Sequence, residues 1–99
     1  MSDLRRTEPE MLGNIISRIM RETGLEDDIL ELELQDVWQE TVGENAAAVS
    51  KVLSFERGRL VVATDSSTWR SELLIRKEAI AQQINEKYGR TVVWELVIR

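Results

Sequence analysis

Five basic side chains in the second half of the chain, Arg57, Arg59, Arg70, Arg76 and Lys77, are the best suited to contact phosphate. Arg76 and Lys77 gain from their position, because a helix expected to start there would add free backbone N–H groups that attract anions. Three tryptophans, Trp38, Trp69 and Trp94, fall on predicted apolar faces and are read as core residues; base stacking is the use open to any that proves exposed. Other chemistry is poorly provided for. The chain has no cysteine and no histidine, so it lacks thiolate metal ligands and the usual general base near neutral pH. Ser66 and Ser67 stand beside Asp65 with nothing to activate a hydroxyl, and helix capping accounts for them. Asp27-Asp28 lacks the spacing of a calcium loop and suits the positive end of a helix. The expectation is a binding module: no enzyme, no cofactor, no metal and no small-molecule substrate.

Charge is unevenly distributed. Residues 1–45 hold twelve acids against four arginines, a net of −8, while residues 46–99 hold nine bases against six acids, a net of +3. The basic half suits an anionic partner and the acidic half a basic protein surface. Ninety-nine residues are enough for one domain with a core of its own, and residues 1–99 are read as a single domain. No apolar run approaches the ~20 residues of a membrane span, so no membrane is expected and the cytoplasm is the expected address.

The elements that position these residues are legible from spacing. Thr7, Pro9 and Glu10 read as a capping box with proline in the first turn, and Leu12, Ile15, Ile16 and Ile19 recur at helical intervals, giving a helix over 8–23. Leu30, Leu34, Val37 and Trp38 continue that pattern in a second helical segment over 25–48. Residues 49–99 then read β-β-α-α-β. Strands over 49–56 and 59–65 flank the short turn Arg57-Gly58, with Val49, Lys51, Leu53 and Phe55 expected on one face. Arg76 would fall on the buried stripe of one long helix from 66 to 88, which predicts a break near residues 74–77. Thr91–Arg99 is the last expected strand, with Val92, Trp94, Leu96 and Ile98 on its apolar face. The predicted architecture is α+β in the order α-α-β-β-α-α-β. Its sheet is three-stranded and mixed, with helices on one face and the 59–65 strand in the centre, because a helical crossover makes the last strand parallel to it.

Several short motifs within residues 34–99 go together. Trp38-Gln39-Glu40-Thr41-Val42-Gly43 resembles the W-x-x-[IV]-V-G that opens the DciA family, bacterial loaders of the replicative helicase. Gly58-Arg59-Leu60-Val61-Val62 is similar to that family's G-x-L-x-V strand, Ser66-Ser67-Thr68-Trp69-Arg70-Ser71-Glu72-Leu73 to its S-S-x-W-x-x-E-L helix start, and Ile84-Asn85 to its terminal I/L-N. The resemblance implies a fold like the type II K-homology domain, the replicative DNA helicase DnaB as partner, and weak contact with single-stranded DNA or RNA. Where K-homology domains clamp nucleic acid with a G-x-x-G loop, this chain reads Leu74-Ile75-Arg76-Lys77. The alternative is a protein–protein adaptor without nucleic-acid affinity, working through the acidic helices.

Overall fold

A computed structural model describes residues 9–99; Thr7, and with it the expected capping box, lies outside the described residues. Helix α1 spans Pro9–Thr23, α2 Leu25–Val42 and the single turn α3 Glu44–Ala47. Strands β1 (Ser50–Glu56) and β2 (Arg59–Thr64) follow, then helices α4 (Ser67–Ile75) and α5 (Lys77–Tyr88), and strand β3 (Glu95–Ile98). The sheet order is β1-β2-β3, with β1 antiparallel to β2 and β2 parallel to β3 in the register Arg59↔Glu95 to Val62↔Ile98. This is the expected mixed sheet with β2 in the centre.

Local chemistry explains each boundary. Ser66 caps α4, its hydroxyl accepting a bond from the Trp69 N–H. The predicted break falls at Arg76, whose backbone (φ −91°, ψ 2°) leaves the helical region for one residue and lets α4 and α5 both turn an apolar face inward. In β1 the alternation expected for Val49, Lys51, Leu53 and Phe55 does not hold. A bulge between Val52 and Ser54 inserts one residue, so Val52 and Phe55 face the core while Lys51 and Leu53 are exposed. The final strand is also shorter than expected. Residues 91–93 form no strand and are held by Asn85, whose Oδ1 accepts bonds from the Val92 and Val93 N–H groups while its Nδ2 donates to the Val93 carbonyl.

The core lies between one face of the sheet and the helices. Leu34 and Trp38 of α2, Leu73 of α4, Ile80 and Ile84 of α5, and Leu60, Val62 and Leu96 of the strands are fully buried there. Trp38 is sealed in with its polar atom satisfied: Nε1 donates to Ser50 Oγ (2.9 Å), and Ser50 Oγ donates to the Ala46 carbonyl (2.7 Å). Trp69 is only partly buried and packs at the core's margin, less enclosed than its spacing predicts.

Two further features frame the site. Three α2 side chains one turn apart reach across to β1 and the turn after it: Asp27 accepts from the Arg57 N–H, Glu31 from the Phe55 N–H, and Gln35 donates to the Val52 carbonyl. They occupy backbone groups that an edge strand would otherwise offer to another chain. At the far end of α2, Glu40 pairs with Lys87, and Glu33 accepts from the Tyr88 hydroxyl (3.0 Å). Partial burial, followed by that bond and the Glu33 charge, pushes the Tyr88 phenol up to about 12.

Helix α1 is different from the rest. None of its residues is buried, and Met11, Leu12, Ile15, Ile16 and Ile19 on its apolar stripe remain 39–56% exposed. The element it packs against appreciably is α2. The molecule is accordingly elongated, 61 × 22 × 19 Å.

Candidate nucleic-acid interface

The tight turn between β1 and β2 builds one end of the sheet. Arg57 (φ 50°) and Gly58 (φ 81°) both take left-handed backbone, the geometry a two-residue hairpin turn needs to match strand twist. The Gly58 carbonyl accepts two bonds, from the Trp94 N–H (2.8 Å) and the Glu95 N–H (3.1 Å), which locks the start of β3 onto the turn. A side chain at Gly58 has no room, because its Cβ would stand 2.5 Å from Trp94 Cδ1.

These constraints hold Trp94 at the surface. Its side chain is 77% exposed, so the expectation that it packs in the core is wrong. The i, i+2 alternation of Val92, Trp94, Leu96 and Ile98 pointed inward, but the pattern fails because strand geometry begins only at Glu95 and the neighbouring residues Val92 and Val93 are both buried. The indole lines a cleft of about 290 Å³ with the bases Arg21, Arg57 and Arg90 and the acids Glu26 and Asp27. Arg90 was not singled out from the sequence.

The five expected basic residues separate into groups. Arg57 and Arg59 meet at the hairpin end, where both also line a shallow recess on the open face of the sheet beside Arg99. Acids temper their charge: Arg59 stands 3.6 Å from Glu95, and Arg90 stands 3.3 Å from Glu26. Arg59 and Glu95 are both largely solvated, so their pair contributes little to stability, whereas Arg90 is exposed and Glu26 mostly covered. The Arg57 side chain has no ion-pair partner among the described residues. Arg70 is engaged elsewhere, its guanidinium donating to the Thr64 carbonyl (2.6 Å) at the opposite end of β2. Arg76 and Lys77 occupy the corner between α4 and α5, half-buried beside exposed Leu74 and Ile75, and share no described cleft with the hairpin. The structure thus brings together Arg57 and Arg59, adds Arg90 and Trp94, and leaves Arg70, Arg76 and Lys77 apart from them.

No helix among the described residues is long and apolar enough to cross a membrane. A family model described as "Dna[CI] antecedent, DciA" matches residues 11–98. A UPF0232 protein of Corynebacterium glutamicum (strain R) is 29% identical over 89 residues, which cover 90% of this chain and 50% of that protein. The chain spans half the length of the curated relative it matches.

Proposed function

The chain belongs to the DciA family, associated with loading of the bacterial replicative helicase, and from that membership we propose that it is a non-catalytic binding module that engages the replicative helicase and makes weak contact with single-stranded nucleic acid. The observation that carries the second half is the hairpin end, where Arg57 and Arg90 line a cleft with an exposed tryptophan and Arg59 lies in the adjoining recess that Arg57 also lines. Arginine supplies phosphate contacts and the aromatic ring a surface indifferent to base identity, the combination that binds single strands without reading sequence. For the protein partner the reading assigns the apolar stripe of α1, since amphipathic helices of this kind dock into apolar grooves through side chains at i, i+3, i+4 and i+7. Cytoplasmic location and action without a cofactor belong to the same proposal.

Two measurements test it. Fluorescence anisotropy with a labelled single-stranded oligonucleotide should give binding at ~20 mM salt, where exposed charges are least screened. Co-sedimentation with purified replicative helicase should recover the chain. Helicase binding without oligonucleotide binding would favour the adaptor reading, which the acidic outer surface of α2 also suits: Glu33, Asp36 and Glu40 are exposed. Neither binding would end the proposal.

A further inference from the structure

Trp94 is held outward by the backbone rather than left over by poor packing. Its N–H is fixed to the Gly58 carbonyl, its ring lies across the one turn residue that lacks a Cβ, and the adjacent Val92 and Val93 are buried and pinned by Asn85. The backbone that carries the ring cannot shift without moving the turn or the loop before β3. A large ring kept in water by this much local structure has an apolar face to offer, and Arg57 and Arg90 line the cleft beside it together with Arg21, Glu26 and Asp27, so the basic residues outnumber the acidic ones by one.

We propose that Trp94 is a base-stacking platform: a single nucleobase lies on the indole face while the phosphates flanking it meet Arg57 and Arg90. The ligand class is a single-stranded oligonucleotide, because a base paired in a duplex has both faces covered by its neighbours and offers none to the ring. Every base has a π-face, so the site takes bases without strong preference. The Arg90 side chain is the exposed partner of its pair with Glu26, and a guanidinium has several N–H donors, so it can meet a phosphate without leaving that carboxylate. This inference rests on the nucleic-acid half of the function proposed above and assigns it a contact.

The test compares two labelled probes, a dT12 oligonucleotide and an abasic 12-mer with the same phosphate backbone, against the parent chain, Trp94→Ala and Trp94→Phe. Stacking predicts that Trp94→Ala weakens dT12 binding about ten-fold, within the range for one lost base–aromatic stack, while Trp94→Phe retains most of it. The abasic probe should bind the parent and Trp94→Ala equally, and the salt dependence for dT12 should be unchanged by the substitution, since the phosphate contacts remain. Thermal unfolding of Trp94→Ala should match the parent, because the substituted ring is exposed and its backbone bond to Gly58 survives. Unchanged dT12 affinity in Trp94→Ala would overturn the platform while leaving nucleic-acid binding intact, as would equal losses for both probes. A loss of helicase binding with dT12 affinity intact would make Trp94 a protein contact and overturn it too. Absence of any oligonucleotide binding by the parent would defeat both the platform and the reading beneath it.

Discussion

A methyl group added at Gly58 would stand 2.5 Å from Trp94 Cδ1, on a residue whose φ of 81° already excludes most side chains. Gly58→Ala should therefore cost about 1 kcal/mol or more from the backbone alone and displace the indole. Its expected signature is a modest drop in melting temperature with a loss of dT12 affinity at least as large as that of Trp94→Ala. Trp38 gives the contrasting case. Buried and bonded to Ser50, it should cost about 3–5 kcal/mol on change to Ala, which denaturant titration would read as a large shift in midpoint with no local rescue. Tyr88 carries a pH signature. Its phenol titrates at about 12 in the fold against about 10 in an unfolded chain. The folded state thus holds the proton more tightly, and the stability this confers is complete below pH 10 and lost as pH rises towards 12. Melting temperature should fall across that window more steeply in the parent than in Tyr88→Phe; equal slopes would show that the phenol is not shifted in solution.

At the scale of elements, α1 is the long helix that adds no buried residue to the core. Ile15→Asp with Ile19→Asp should leave the melting temperature within a few degrees of the parent, because neither side chain is buried, yet abolish co-sedimentation with the helicase. Retained co-sedimentation would place the helicase on another surface. The same contrast shows what spacing can reveal. Helical periodicity located α1, α2 and the break before α5, since a charged Arg76 on a buried stripe is a conflict that only a kink resolves. A helical crossover between β2 and β3 brings them side by side in parallel, as the element order implies. Period-two patterns misled twice, at β1 and before β3, because a bulge or a side-chain clamp rephases a strand without leaving a mark in hydrophobicity. The site was half legible for a related reason. Arg57 and Arg59 flank a turn that the sequence announces, whereas Arg90 and Trp94 reach it only through a parallel pairing whose register the sequence does not specify.

Over the whole molecule, charge limits affinity. Residues 1–45 carry −8, and part of that acid stands against the hairpin arginines through Glu26 and Asp27. With Arg57, Arg59 and Arg90 at one end and Arg70, Arg76 and Lys77 elsewhere, the proposed single-strand contact would neutralise about three phosphates together. The log–log salt slope for single-stranded DNA should be near −2, at roughly 0.7 per phosphate, and Arg76→Ala with Lys77→Ala should leave it unchanged. A slope of −3 or steeper that flattens in that variant would mean the strand runs on to the helix corner. Gly24 adds a question of reach. It is the single residue between α1 and α2 and sits in left-handed backbone (φ 78°, ψ 1°) with open space where a Cβ would be. Beyond it extend fifteen helical residues, a rod of about 22 Å. A 20° turn of one dihedral there would sweep the rod's tip through roughly 8 Å. Gly24→Ala fits sterically but is disfavoured at that φ, so it should re-aim the rod rather than unfold it, and small-angle scattering would register the change as a maximum dimension departing from the parent's. The aim of the apolar stripe is in this sense a property of one pivot, and it can be retuned without touching a single residue that makes contact.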